Sequence, residues 1–472
     1  MIQEILRLKD IYNNGSAGTG RLYPTPIDAD TFDFGLWTPS TLTPITQGTT
    51  TVDPNSGAVL TSLAPDGQSE FHGTYSKHDV FNADDTYMKF KASGGTAIVE
   101  VANKTNIIYM GVDGGGYWSN VDPNMLYVIW NYENTDVALK TQMIGDAYGT
   151  ETTIHDFTAT HRNLTLGYNE GTISANDEYL VLCARKKAGY SGLEYEAIVI
   201  DLQDALANPN QPSNIHSRMD IRDNNIVDWV SVSQTGNYIV EAIFNDTDII
   251  TGNPVNGNLI KVYHNTAGAP TLTANSTVNS AGNPVAGAIY MNESHADLGI
   301  DVDGNDCYVG LKSGSCSIDG KTNEGGCMEY DNNTFLAVVR LSDGLTQYKF
   351  SHTNNQGYGN RGYYGGYVSC RNTKRPGYAY ITEDCCQRDG CPSTDIFTIK
   401  LDYTANNDIE YFCRTFAERF FSGRDDSAQG VPSKYGDKVS FDSYFSNAAF
   451  LTLHPNNAAA QGPAWIAEYP QV

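Results

Sequence analysis

Two stretches decide how this chain is read: DWVSVSQTGNYIV (Asp228–Val240) and DLGIDVDGNDCYV (Asp297–Val309). Each is a short strand of alternating residues, a turn built on Gly with Asn, Asp or Thr, and a second strand of β-branched and aromatic residues. Gly and Asn tolerate the positive φ of a tight hairpin turn, and alternation places every second side chain on one face of the strand. A lone hairpin of this kind cannot cover its apolar faces, so it must stack on others like it.

Working outward, the same unit recurs along the chain. It is present in KHDVFNADDTYMKF (Lys77–Phe90), and in NLTLG (Asn163–Gly167) leading to NDEYLVL (Asn176–Leu182). A looser copy runs from YVSCRN (Tyr367–Asn372) to PGYAYI (Pro376–Ile381), and a last one from AFLTLHP (Ala449–Pro455) to PAWIA (Pro463–Ala467). NIIYM (Asn106–Met110) with MLYVI (Met125–Ile129) fills the gap between the first two. Further apolar strands follow the hairpins: AIVID (Ala197–Asp201), LIKVY (Leu259–Tyr263), FLAVVR (Phe335–Arg340) and IFTIKL (Ile396–Leu401). These read as third or fourth strands. Seven units spaced by roughly 50 to 70 residues, each of four antiparallel strands, predict an all-β fold: a seven-bladed β-propeller. The expected layout is an N-terminal arm or extension over residues 1–45 and the propeller over residues 46–472. Small residues such as Ser231, Ser233, Gly299 and Ser369 mark inner strands, and WIAEY (Trp465–Tyr469) is the expected closing strand. Helical periodicity is confined to the N-terminus and to Leu202–Ala207.

The net charge of -25 argues against nucleic acid and anionic lipid as partners. No apolar run of about 18 residues is present, so no helix is expected to cross a membrane. Nine cysteines are present, and Cys316, Cys327, Cys370, Cys385, Cys386 and Cys391 cluster in loop-rich sequence. That clustering predicts local disulfides, Cys316 with Cys327 and Cys385 or Cys386 with Cys391, and an extracellular or particle-surface setting. The first twenty residues lack the apolar core of a leader and read as a short amphipathic helix with a Gly/Ser hinge. Export by an unconventional route, a leader missing from this sequence, or release within a particle reconciles the two readings.

The run YSKHDVFNADD (Tyr75–Asp85), with SHADLGID (Ser294–Asp301) and VSCRN through PGYAY (Val368–Tyr380), resembles the seven-bladed propeller polysaccharide lyases of secreted bacterial proteins. The ulvan lyases are the nearer likeness and the oligogalacturonide lyases a more distant one. The resemblance spans about residues 70 to 470 and consists of blade signatures. It implies β-elimination on a uronic-acid polymer at one mouth of the propeller. It also implies a His or Tyr base, an Arg that neutralises the substrate carboxylate, and in some members a structural zinc.

That chemistry needs ionisable side chains at strand starts. A proton next to a carboxylate is acidic enough to remove only when the carboxylate is neutralised. The catalytic candidates are His161, Arg222, His78, Tyr168 and His295. Arg162 and Arg371 are candidate substrate contacts, together with Arg361, Tyr363, Tyr364 and Tyr367 of the Gly/Tyr stretch YGNRGYYGGY (Tyr358–Tyr367), whose rings suit sugar faces. His295, Cys370 and Cys307, with the Cys385–Cys386 pair, are candidate ligands of a structural zinc. DVDGND (Asp301–Asp306) opens like a calcium loop, but the twelfth position is Lys312 instead of Glu, so it reads as a hairpin turn. The partner expected on this reading is an acidic polysaccharide or surface glycan. The alternative is a non-catalytic structural or adhesion protein of a filament, cell surface or virus particle, assembling through the N-terminal arm.

Overall fold

The computed structural model describes residues 21–28, 45–68, 70–73, 75–93, 95–110, 116–132, 135–147, 149–223, 226–243, 259–274, 295–312, 335–349, 366–383, 395–404, 408–417, 428–443 and 463–470. It contains seven antiparallel sheets and is a seven-bladed β-propeller. Among the described residues the only α-helix is Leu202–Ala207, capped by the Asp201 side chain, which accepts from the Asp204 N–H. The chain divides into two compact units. One comprises residues 1–115, 300–304 and 352–472, the other residues 116–299 and 305–351.

The second unit holds blades 2, 3 and 4 and most of blade 5. Blade 2 is Tyr117–Trp118, Met125–Tyr132, Asp136–Met143 and Thr152–Asp156. Blade 3 is His161–Leu166, Tyr179–Lys186, Tyr195–Asp201 and Ile215–Ile221. Blade 4 is Val227–Val232, Tyr238–Ile243, Leu259–His264 and Thr271–Leu272. Blade 5 is Asp297–Ile300, Asp306–Lys312, Phe335–Arg340 and Thr346–Lys349. Strands such as YLVLCARK carry an unbroken apolar run, here Leu180–Ala184, because both faces are buried there. Leu180, Leu182 and Ala184 pack against blade 2, while Val181 and Cys183 pack against blade 4.

One device recurs at the hairpin between the first two strands of a blade. The turn residue lies in the left-handed region: Asp85 at φ 61° and Asp177 at φ 54°, with Gly236, Gly304 and Gly436 in the corresponding places. The Asp carboxylate reaches the turn of the preceding blade. Asp177 accepts from Ser119 Oγ at 2.5 Å, the Asn120 N–H at 2.8 Å and Tyr127 Oη at 3.1 Å. Where blade 5 has Gly304 in that place, Asp306 takes over and accepts from Ser233 Oγ at 2.9 Å and the Thr235 N–H at 3.1 Å. These carboxylates satisfy turn N–H groups that face the neighbouring blade instead of water.

The first unit holds blades 6, 7 and 1. Blade 1 is Phe71–His72, Tyr87–Ala92, Gly95–Glu100 and Ile107–Met110. Blade 6 is Gly366–Ser369, Tyr378–Glu383, Asp395–Lys400 and Asp408–Arg414, with Ile27–Asp28 added as a fifth strand against Asp408 and Ile409. Blade 7 is composite. The C-terminal end of the chain supplies Val431–Pro432, Lys438–Asp442 and Ala464–Glu468, and the N-terminal end supplies Val59–Ser62 and Thr50–Val52. Ala464–Glu468 pairs with Val59–Ser62, so the strand that completes this blade comes from the N-terminal end. The stretch Trp465–Tyr469 therefore does not close the blade: its strand is the third of five, between Lys438–Asp442 and Val59–Ser62. Trp465 is fully buried and its indole N–H donates to the Ser443 carbonyl at 2.9 Å.

Two sequence assignments change. Asn106–Met110 and Met125–Ile129 are not one unit: the first forms the outer strand of blade 1 and the second lies in blade 2. The inner hairpin of blade 7 is VPSKYGDKVSFD (Val431–Asp442); of the copy expected there, Ala464–Ala467 lies in the third strand and Ala449–Pro455 lies outside the described residues. Its first strand is two residues long and carries Pro432, which an edge strand tolerates. Cys183, Cys307, Cys370 and Cys413 are buried. No disulfide occurs among the described residues, and Cys316, Cys327, Cys385, Cys386 and Cys391 lie outside them.

Candidate functional site

Within the first unit, side chains from blades 1, 6 and 7 converge. Sheets arranged radially come closest at their innermost strands, so a contact between blades 1 and 6 marks the axial end of both. Beyond Phe71–His72 the chain of blade 1 passes through residues 73–79 before returning in Tyr87–Ala92. Tyr75 of this segment packs edge-on against His78, with ring centroids 6.2 Å apart, and against Tyr367 of blade 6 at 6.0 Å. The Lys77 ammonium lies 5.5 Å from the Tyr75 ring centre. Lys77, His78, Tyr367 and Arg371 are all buried. Tyr367 and Ser369 share one face of their strand by alternation, and Arg371 follows just past its end.

More cations gather beside this cluster. Lys434 of blade 7, buried, bonds its ammonium to Asp79, and its own N–H donates to Asp85 at 2.7 Å. Burial holds the Lys434 ammonium below its ordinary range, and the nearby Arg371 charge adds to this against the opposing pull of Asp79. Lys89, on the second strand of blade 1, is fully buried, and desolvation pushes it down to about 8, with Asp79 pulling the other way. Among the described carboxylates here, Asp85 is raised by burial, although the Lys434 and Tyr435 N–H groups bond to it. The hydroxyls of Ser76 and Ser369 are buried without a hydrogen-bond partner. The arrangement offers rings for stacking, an imidazole and a phenol as proton carriers, and cations suited to a carboxylate.

Of the sequence candidates, His78 and Tyr367 both pack on Tyr75, and Arg371 lies in the same unit, where its charge bears on Lys434. The other sequence candidates sit elsewhere. His161 begins the inner strand of blade 3, 1% exposed, with Nε2 2.7 Å from Glu196 Oε1 and Nδ1 2.8 Å from Thr160 Oγ1. Glu196 also accepts from Arg218 at 2.6 Å and lies 3.6 Å from Lys186. Arg162 bonds to Glu194 near this group. Tyr168, at φ 59°, donates its hydroxyl to the Arg222 carbonyl, and burial raises its phenol well above the ordinary range. His295 has φ 60° and lies just before blade 5. Arg361, Tyr363 and Tyr364 lie outside the described residues. Among those described, no three His, Cys, Asp or Glu side chains gather as a metal requires, so His295, Cys370 and Cys307 form no such centre there.

Lys434, Lys89 and Asp79 were not among the sequence candidates. Lys434 looks like an ordinary turn lysine in SKYGD, and only the pairing of blade 7 shows that it is buried. Lys89 carried a usable signal: it alternates with Met88 and Phe90 in a strand otherwise expected to be buried on both faces.

No family model and no curated protein matches the sequence. Solved structures do resemble the fold. An oligogalacturonate lyase from Vibrio parahaemolyticus matches with a TM-score of 0.50 and 12% identity, covering 90% of this chain and 97% of the other. An oligogalacturonate lyase in complex with manganese matches with a TM-score of 0.51 and 10% identity, covering 90% and 99%. Both likenesses are to the fold alone; each of these two proteins is an oligogalacturonate lyase, and neither is an ulvan lyase.

Proposed function

We propose that this propeller acts on an acidic oligosaccharide or polysaccharide, cleaving it by β-elimination at the meeting point of blades 1, 6 and 7. The observation that carries the reading is the convergence of His78, Tyr75 and Tyr367 beside Lys77, Arg371 and Lys434. The proposed chemistry rests on side chains alone. Arg371, with the lysines, holds the uronate carboxylate and stabilises the charge that builds on it when the neighbouring carbon loses its proton. His78 takes that proton. The electron pair left behind forms the carbon–carbon double bond as the bond to the glycosidic oxygen breaks, and the Tyr75 hydroxyl protonates the departing oxygen. Tyr367 stacks on a sugar ring.

The test is incubation with oligogalacturonate, polygalacturonate, alginate and ulvan, following the ultraviolet absorbance of unsaturated uronate. Activity on at least one polymer is expected, with His78→Ala lowering turnover by about 10²–10⁴-fold, the usual worth of a general base. Arg371→Lys, which keeps the charge but loses the bidentate geometry, is expected to raise KM more than it lowers kcat. Full activity in His78→Ala, or no unsaturated product from any of the polymers, overturns the proposal.

A further inference from the structure

The segment that carries Tyr75, Lys77 and His78 begins at Gly73, and Gly73 is held from blade 7. Its N–H donates to Asp442 Oδ1 at 2.9 Å, and its carbonyl accepts from His72 Nδ1 at 2.6 Å. Asp442 is the last residue of the strand Lys438–Asp442 and is 1% exposed. Its own N–H donates to the Ala428 carbonyl at 2.9 Å. The carboxyl lines a narrow crevice with Gly73, Tyr75, Val80, Gln429 and Val431. A Cβ placed on Gly73 would stand 3.3 Å from Asp442 Oδ2, so the backbone approaches the carboxyl closely.

We propose that Asp442 is a positioning residue for this site, anchoring through Gly73 the segment that presents Tyr75, Lys77 and His78. The inference rests on the reading of that segment as the reactive one, but the anchoring is physically separate from it. Among the described residues Tyr75 is the titratable group that lines the crevice with Asp442, and His72 Nδ1 bonds the Gly73 carbonyl beside it; the blade 7 neighbours Gln429, Val431 and Ser440 carry no charge. Among the described residues one backbone N–H is its hydrogen-bond donor and no ammonium or guanidinium lies against it, and burial raises the carboxyl well above its ordinary value of 3.8. It therefore anchors Gly73 as the uncharged acid. The sign follows from linkage. The folded protein holds this proton more tightly than the unfolded chain, so the stability it gives is complete below the ordinary value and is lost as the pH climbs toward the raised one. Ionisation places a desolvated charge in the crevice, which water or a shift of the segment must relieve.

The experiment compares wild type with Asp442→Asn and Asp442→Ala by amide hydrogen exchange, as protection factors of residues 75–79 between about pH 5 and about pH 9. The Asn amide keeps an acceptor for Gly73 and carries no charge, so its protection is expected to stay level with pH. In the wild type, protection of this segment is expected to fall at the alkaline end, at least tenfold, while the inner strands of blades 3 and 4 keep theirs. Asp442→Ala is expected to lose protection in this segment at every pH. Parallel profiles in wild type and Asp442→Asn overturn the proposal, as does unchanged protection in Asp442→Ala. If turnover on a uronate polymer is found, Asp442→Asn should retain kcat at alkaline pH where wild type loses it. If no uronate is cleaved, the functional reading fails while the exchange result still decides the role of Asp442.

Discussion

Replacing Asp177 by Ala tests the interlocking of blades most directly. The carboxylate is 2% exposed and accepts three hydrogen bonds from blade 2, from Ser119 Oγ, the Asn120 N–H and Tyr127 Oη. Truncation strands at least the Asn120 N–H and the Tyr127 hydroxyl in a buried place, and each orphaned donor costs about 1–3 kcal/mol. Residue 177 also sits at φ 54°, where Ala pays about 1 kcal/mol more than Gly. The two orphaned donors together make a loss of roughly 2–6 kcal/mol, large against the stability of an ordinary domain. The two causes separate within a small series. Asp177→Gly removes the same hydrogen bonds but relieves the backbone, so it should cost about 1 kcal/mol less than Ala. Asp177→Asn keeps an acceptor for the Asn120 N–H and should cost about 1–2 kcal/mol. Urea unfolding followed by tryptophan emission reports on this region, because Trp118 and Trp229 are buried in the same unit. An Ala variant within about 1 kcal/mol of wild type would refute the staple argument. A Gly variant less stable than the Ala variant would refute the backbone part.

Gly167, at φ 45°, is a second close approach: a Cβ there would lie 1.9 Å from the Val230 carbonyl oxygen. Gly167→Ala is expected to cost at least about 3 kcal/mol by urea unfolding, because backbone must move on one side; a loss under about 1 kcal/mol would show that the turn repacks freely. Lys89 gives a pH signature of known sign. Its folded value of about 8 lies below the ordinary 10.5, so the protein gains stability as the pH rises between the two. At about 1.4 kcal/mol per unit the gain is on the order of 3 kcal/mol. Lys89→Met should flatten that rise in thermal midpoint, and an unchanged slope would assign it to other groups. Glu410 accepts two bonds from the buried Arg375 guanidinium, at 2.7 and 2.8 Å, so Glu410→Ala should cost about 3–5 kcal/mol. Calorimetry showing a loss below about 1 kcal/mol would mean that Arg375 finds another anion or reaches water.

The fold was legible where local chemistry repeats. SQTGNY and DVDGND announce hairpins because a residue tolerant of the left-handed region must stand in each turn, and Gly236 and Gly304 do stand there. Asp177 shows the limit of that signal. It looks like one more turn aspartate, yet its carboxylate works on the preceding blade, and nothing in NDEYLVL says where an Asp at positive φ will point. Blade 7 was harder because its strands come from both ends of the sequence, and pairing between Val59–Ser62 and Ala464–Glu468 leaves no local trace. Its inner hairpin also begins with a two-residue strand containing Pro432, too short for any period to be read.

The candidate site follows the same division. His78, Tyr367 and Arg371 could be named because an ionisable or aromatic residue at the start of a blade is conspicuous against apolar strands. That His78 and Tyr367 both pack on Tyr75, while His161 is engaged by Glu196 and Thr160, follows from the pairing of blades and has no local trace in the sequence. Lys434 and Asp442 were invisible for a further reason. A charged residue near a turn is read as solvated, since burying an ion costs several kcal/mol. In this protein the cost is met differently at the two positions. Lys434 keeps its charge by bonding to Asp79, and Asp442, with only the Gly73 N–H to bond its carboxyl, gives its charge up. The same sheet thus carries a paired ammonium and an uncharged acid, two ways of lowering the cost of burying an ionisable group.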